Sequence, residues 1–138
     1  MSASAERTSA DSGREALPDA AITAARVADD KLGTDTVVLD MREVLDVTDA
    51  FVITAGRNTR QVRTIVEEVE RELKASEGRS PWAVEGLRDL TWVLMDYGDF
   101  LVHVFRDDAR AYYDLEHLWG NAPKLAVQDV TAGRRTLD

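Results

Sequence analysis

The 138-residue sequence contains no cysteine. This absence excludes disulfide bonds, thiolate catalysis and zinc sites with cysteine ligands. Basic residues are also few, since 17 Lys and Arg stand against 26 Asp and Glu, for a formal net charge of -9. Tight binding to bare nucleic acid draws most of its affinity from Lys and Arg on phosphates, so we expect no sequence-specific nucleic-acid partner. A basic protein is the better electrostatic match.

Long apolar segments are missing as well. The N-terminal stretch carries charges throughout and lacks the apolar core of a secretory signal peptide. No apolar run approaches the roughly 20 residues that are needed to cross a bilayer. We therefore expect a cytoplasmic protein that does not bind a membrane.

The chain is predicted to form one domain with an extension at each end. Residues 1–17 are rich in Ser, Ala, Glu and Arg and have almost no large apolar side chain, which is typical of a disordered extension. Residues 123–138 show little apolar periodicity and are predicted to form a flexible tail. Between them, residues 18–122 have the apolar content of a single globular domain.

Three helices are predicted from apolar spacing and end signals. The first begins near Asp19 and stops at Gly33. The second begins after Asn58, whose side chain forms a capping box with that of Gln61. The third spans residues 108–119, with three apolar side chains on one face and an ion pair between neighbouring turns. Those side chains are Tyr112, Leu115 and Trp119, and the pair is Arg110 with Asp114.

Five strands are predicted from short runs of β-branched and aromatic residues. Two lie between the first and second helices, at 36–41 and 50–55, and three lie between the second and third, at 82–86, 92–96 and 101–105. This order of elements predicts an α/β domain with a mixed sheet of roughly five strands and flanking helices.

The last two predicted strands are separated by a two-residue hairpin turn, Gly98-Asp99. That turn sets three cross-strand pairs on one face: Trp92 with Phe105, Leu94 with His103, and Asp96 with Leu101. The other face is almost wholly apolar and is predicted to lie in the core; it consists of Val93, Met95, Tyr97, Phe100, Val102 and Val104. The Trp92 face sets one carboxylate and one imidazole among apolar side chains, which suits a protein-binding patch. Helices on both sides of the sheet would instead bury it as core, and the residues alone leave both interpretations open.

Signatures of an enzyme are scarce. The two histidines, His103 and His117, have neither HExxH spacing nor a cysteine partner, so we expect no metal site. The GxSxG, P-loop and GxGxxG motifs are also absent. Asp96 and Asp99 can in principle bind a divalent cation, but an aspartate in a tight turn more often serves the turn itself. We expect neither catalysis nor a cofactor.

Several motifs in the same order resemble those of the Iojap-like ribosomal silencing factors. They are LDMREV (39–44), TDAFVITAG (48–56), RQV (60–62), EG (85–86), WVLMDYGD (92–99), VHVF (102–105) and, after Arg110, YDLEHLW (113–119). The resemblance covers roughly residues 20–122. Several motifs in the correct order and spacing are far more specific than any one of them.

The resemblance implies a nucleotidyltransferase-like fold without transferase chemistry, commonly a homodimer, that binds ribosomal protein L-fourteen of the large ribosomal subunit. A family member bound to that protein would block association of the small and large ribosomal subunits and so repress translation. Active transferases of this fold carry Gly-Ser followed by a pair of acidic residues on the next strand. Here Gly56 is followed by Arg57-Asn58-Thr59, and the next strand has no such pair.

The family positions associated with the ribosomal protein map onto Trp92 and the corner of Asp96, Tyr97 and Gly98. Together with the hairpin face, they predict a partner-binding set of Trp92, Leu94, Asp96, Tyr97, Gly98 and His103. The predicted last helix also carries more aromatic surface than one short face readily buries. The family resemblance favours burial of this surface against a second copy of the chain. The predicted dimer contacts are Tyr112, Tyr113 and Trp119, with packing inside one chain as the alternative.

Two other functions stay open at this point. One is a residual nucleotidyltransferase that uses Asp96 and Asp99 with magnesium. The other is an assembly factor that binds the same ribosomal surface before the large subunit matures.

Overall fold

A mixed six-stranded sheet organises the part of the chain that the structure describes. The computed structural model describes residues 16–127, with the elements α1 (Asp19–Asp30), β1 (Val37–Asp40), β2 (Ala50–Gly56), α2 (Thr59–Glu77), β3 (Ala83–Glu85), β4 (Trp92–Asp96), β5 (Phe100–Arg106), α3 (Asp107–Tyr113), α4 (Leu115–Leu118) and β6 (Lys124–Ala126). The strand order is β3-β4-β5-β2-β1-β6. Strands β2 and β5 are parallel, and the other neighbours are antiparallel. The predicted mixed α/β fold is confirmed, while its likeness to nucleotidyltransferases stays a prediction.

Helices α1 and α2 cover one face of the sheet. The buried side of α1 consists mainly of alanines, which lets its backbone approach its neighbours closely. Helix α2 is amphipathic and buries the side chains that its spacing predicts, namely Val62, Ile65, Val66, Val69 and Leu73. Both helices pack on the hairpin side chains predicted to be core, and all six of those are buried in one cluster. The prediction that this face of the hairpin lies in the core is confirmed.

The start of α2 is tied to the end of α1. Asn58 Oδ1 accepts a hydrogen bond from the backbone N–H of Gln61 at 2.9 Å, which confirms the predicted cap. Gln61 Oε1 accepts from the backbone N–H of Arg57 at 2.8 Å, one residue before the position that a capping box uses. Gln61 Nε2 also donates to the carbonyls of Lys31 and Leu32, at 3.1 and 3.0 Å. One glutamine therefore joins the two helices.

The sixth strand corrects the predicted C-terminal boundary. Strand β6 pairs antiparallel with β1, so that Leu125 lies opposite Val38, and the sheet continues past residue 122 to Ala126. Three residues at a sheet edge are too short to produce a readable alternation. At the other end, Leu17 packs against the core although it lies within the predicted N-terminal extension. The rest of the two predicted extensions, 1–15 and 128–138, lies outside the described residues.

The predicted helix over 108–119 is wrong, because the segment forms two short helices. Asp114 separates them with φ 47° and ψ 60°, a left-handed conformation that aspartate tolerates better than most residues. The Asp114 side chain then accepts from the backbone N–H of His117 at the start of α4. The kink separates the three side chains predicted to share a face, since Leu115 is buried while Tyr112 is 82% exposed.

Arg110 connects the junction of α3 and α4 to the loop between α1 and β1. Its guanidinium pairs with Glu116 at 2.9 Å and donates to the carbonyls of Thr34 and Asp35, at 2.7 and 2.8 Å. The predicted pair of Arg110 with Asp114 is therefore replaced by one with Glu116. The planar fork of five donors allows one arginine to serve a carboxylate and two carbonyls at once.

Candidate partner-binding surface

The second face of the sheet is covered over only part of its width. Over β1 and β2, side chains from α4 and the segments around it complete a second apolar cluster of Val37, Leu39, Met41, Phe51, Ile53, Ala55, Phe105, Leu115 and Ala122. Toward β3, the side chains remain partly exposed. We call this open part the hairpin surface; it consists of Trp92, Leu94 and Asp96 of β4 and Leu101 of β5. The core interpretation therefore holds for the part of the face over β1 and β2, while the protein-binding interpretation of the open part stays a prediction.

The predicted register of the hairpin is confirmed. Trp92 pairs with Phe105, Leu94 with His103 and Asp96 with Leu101. The Tyr97 backbone N–H donates to the Phe100 carbonyl at 3.0 Å, which closes the turn around Gly98 and Asp99.

Trp92 is the largest side chain of the hairpin surface, and its indole is held in three ways. The ring stacks on Phe105 with a centroid distance of 5.0 Å and an interplanar angle of 28°. It also contacts Tyr113 of α3 at 4.7 Å. Its Nε1–H donates to His103 Nδ1 at 3.1 Å. Because the only polar atom of the side chain is engaged, the exposed part of Trp92 offers carbon to a partner.

His103 lies beneath this tryptophan rather than at the surface. The residue is 5% exposed and packs edge-on against Phe51 at 4.7 Å. Burial lowers the pKa of His103 to about 4, so the imidazole is neutral near pH 7. Nδ1 accepts the indole proton, which requires the imidazole proton to be on Nε2. Within residues 16–127, no hydrogen-bond partner reaches that buried Nε2.

The predicted corner of Asp96, Tyr97 and Gly98 is split between the two faces. Asp96 Oδ1 accepts from the Gly98 backbone N–H at 2.8 Å and so stabilises the turn. Gly98 has φ 92°, and a Cβ there would lie 2.9 Å from the Trp82 ring. Tyr97 is 1% exposed and stacks on Phe100 at 4.9 Å under the helices. Its side chain does not reach the hairpin surface, which corrects its place in the predicted set.

Arg79 supports the turn from behind, a role that no local sequence signal indicates. Its guanidinium pairs with Asp99 at 2.7 Å and donates to the Tyr97 carbonyl at 2.7 Å. It also lies over the Phe100 ring at 5.3 Å. Asp99 in the turn is therefore the ion-pair partner of Arg79. No group of three or more His, Asp or Glu side chains able to hold a metal ion occurs between residues 16 and 127.

The predicted dimer contacts lie beside the hairpin surface. Tyr112 is 82% exposed and Tyr113 is 47% exposed, and their rings meet edge-on at 5.1 Å. Leu118 is a further exposed apolar side chain, outside the set of predicted dimer contacts. Trp119 is more enclosed, because it packs edge-on against Phe51 at 6.1 Å. Since Tyr113 also contacts Trp92, the two predicted surfaces adjoin.

A small α/β domain with an apolar, partly exposed sheet face is typical of proteins that act by binding another protein. A family model described as "Ribosomal silencing factor during starvation" matches residues 14–137, and the chain belongs to this family. The predicted family resemblance is thereby confirmed. The family is regulatory and non-enzymatic, which also confirms that the chain is not an enzyme.

Individual relatives show the same likeness. A ribosomal silencing factor of Bacillus subtilis (strain 168) is 42% identical over 100 residues, covering 72% of this chain and 84% of that protein. The chloroplastic protein Iojap of Zea mays is 32% identical over 107 residues, covering 78% of this chain and 46% of that protein. A crystal structure of a Chromobacterium violaceum protein superposes with a TM-score of 0.72 at 31% identity, covering 76% of this chain and 87% of that one. Among the helices of residues 16–127, none has the length and apolarity to cross a membrane.

Proposed function

We propose that this protein is a cytoplasmic ribosomal silencing factor. It binds the large ribosomal subunit through ribosomal protein L-fourteen, prevents the small subunit from joining and so represses translation. The family and the names of the relatives support a role at the ribosome. The observation that carries the proposal to this chain's own residues is the hairpin surface, a sheet face left partly uncovered by the helices of residues 16–127.

The hairpin surface has the composition of a protein interface. Trp92, Leu94 and Leu101 offer partly exposed apolar area at its centre, and Asp96 lies at the turn end. An apolar centre with polar groups around it is the usual arrangement in protein interfaces, and tryptophan often dominates their binding energy. The net charge of -9 favours approach to a basic ribosomal protein. Repression is then steric, since a bound domain occupies space that the small subunit requires.

We further propose that the free protein is a homodimer. The exposed aromatic rings of Tyr112 and Tyr113, together with Leu118, offer apolar area that one chain leaves in contact with water. Trp119 contributes less area because the second apolar cluster already covers part of it.

A subunit-joining assay tests the repression directly. Purified mature subunits are mixed with and without the protein, and joined ribosomes are measured by light scattering and on sucrose gradients. We expect the protein to reduce joining and Leu94→Glu to abolish the effect, because a charge in the apolar centre is desolvated on binding. The matched control is Leu32→Glu, which places the same charge at a 71% exposed site at the end of α1.

Two results would contradict the proposal. Equal repression by Leu94→Glu and the wild type would remove the hairpin surface from the interaction. Unchanged joining in the presence of bound wild-type protein would exclude silencing. Because mature subunits need no assembly, repression in this assay is also independent of any role in subunit assembly.

A further inference from the structure

The Trp92 ring is hydrogen-bonded to a residue that is almost wholly buried, His103. Stacking on Phe105 and contact with Tyr113 restrict the plane of the indole, but stacking alone does not distinguish the two ring orientations that a flip about the Cβ–Cγ bond exchanges. The hydrogen bond from Nε1 to His103 Nδ1 selects one of these orientations, because it aims the N–H edge at one buried atom.

If His103 served packing alone, burying its imidazole would cost more free energy than burying an apolar side chain. With its proton on Nε2, His103 keeps a buried N–H that finds no partner in the described part of the chain. A leucine or phenylalanine between the rings of Phe51 and Phe105 would fill the space without an unpaired polar group. What those residues cannot supply is an acceptor for the indole proton.

We propose that His103 is a positioning residue of the hairpin surface: it fixes the Trp92 indole through Nδ1 and does not itself contact the partner. The indole N–H is thereby kept out of the interface, and the exposed carbon edge of the ring is presented in one orientation. A preorganised aromatic side chain loses less conformational freedom on binding, which strengthens the complex without adding a contact. The part of this inference that concerns affinity rests on the proposed function.

Nuclear magnetic resonance tests the positioning without any partner. The indole N–H signals of Trp82, Trp92 and Trp119 are assigned with single Trp→Phe variants. In the wild type, we expect the Trp92 signal to exchange slowly with solvent. His103→Leu should make it exchange faster and move it toward its position in a free peptide, whereas His103→Asn, which can place an oxygen near the Nδ1 position, should restore part of the protection. His117→Leu, at an exposed histidine, is the matched control. An unchanged Trp92 signal in a folded His103→Leu variant overturns the proposal.

A double-mutant cycle with purified ribosomal protein L-fourteen tests the consequence for binding. His103→Leu should weaken affinity about three- to tenfold, the range expected from one net hydrogen bond. In a Trp92→Phe background, which has no indole proton to donate, the same change should have no further effect. A further loss there shows that His103 touches the partner, and the proposal fails. If Trp92→Ala binds as tightly as the wild type, the proposed binding surface fails, while the resonance experiment still decides whether His103 holds the indole.

Discussion

The substitution Trp92→Ala tests the hairpin surface most directly, and the structure predicts two separate effects. The first is on stability, because the indole leaves Phe105 and Tyr113 and withdraws its proton from His103. Each lost aromatic contact costs about 0.5–1.5 kcal/mol, and a buried acceptor left unpaired costs about 1–3 kcal/mol. The free energy of unfolding should therefore fall by about 4 kcal/mol, the midpoint of these ranges. A small domain is stable by about 5–15 kcal/mol, so the variant should remain folded.

The second effect is on affinity for ribosomal protein L-fourteen. Removing an interface tryptophan costs about 2 kcal/mol or more, which corresponds to about a thirtyfold increase in Kd. Titration calorimetry measures the change in affinity, and urea denaturation of the same sample measures the change in stability. Leu32→Ala, at an exposed apolar residue away from the hairpin surface, should bind like the wild type.

The two measurements together decide what Trp92 does. A folded variant with unchanged affinity refutes the assignment of Trp92 to the binding surface. A variant that no longer unfolds cooperatively shows instead that Trp92 belongs to the core, and the partner then binds elsewhere. Trp92→Phe keeps the stacking and loses only the indole proton, so its affinity should lie between those of Trp92→Ala and the wild type.

Three further predictions concern charge, assembly and pH. The net charge of -9 predicts that association with L-fourteen slows as salt rises while dissociation changes little, and salt-independent stopped-flow association rates would limit the charge to a role in solubility. The 4.7 Å contact between Trp92 and Tyr113 predicts that binding releases monomers from a dimer; light scattering on the free protein and the complex measures this, and a dimer that persists in the complex would contradict it. Because burial lowers the pKa of His103 from 6.5 to about 4, the unfolded chain binds its proton more readily than the folded one. Stability should thus be lost as pH falls from about 6.5 toward 4, by at most about 3 kcal/mol, and His103→Leu should remove this part of the pH dependence.

The hairpin could be predicted from the sequence because its geometry is local. A two-residue turn at Gly98-Asp99 determines the register, and alternation then assigns each side chain to a face. The face of each proposed binding residue followed from that register, and Tyr97 fell on the core face by the same reasoning. The family motif placed Tyr97 in the binding set because a motif identifies consecutive residues as a group. Whether each of those residues is exposed depends on the direction of its own side chain.

The C-terminal part could not be predicted because distant contacts determine it. Asp114 adopts a left-handed conformation next to Arg110, whose hydrogen bonds reach Thr34 and Asp35, 76 and 75 residues away in sequence. Strand β6 likewise exists through its pairing with β1. Neither the kink nor a three-residue edge strand leaves a periodic pattern in its own residues.

The same distant contacts decide how much of the second sheet face stays open. Arg110 joins α3 and α4 to the loop before β1, and side chains near this corner close over β1 and β2 while Trp92 and Leu94 remain partly exposed. Tyr113, at the end of α3, meets the Trp92 ring at the boundary between the covered and the open parts. A change in the position of α3 would therefore reach Trp92 directly. We therefore expect the aromatic side chains of α3 and the hairpin surface to act as one continuous surface, on which a second copy and a ribosomal partner would compete.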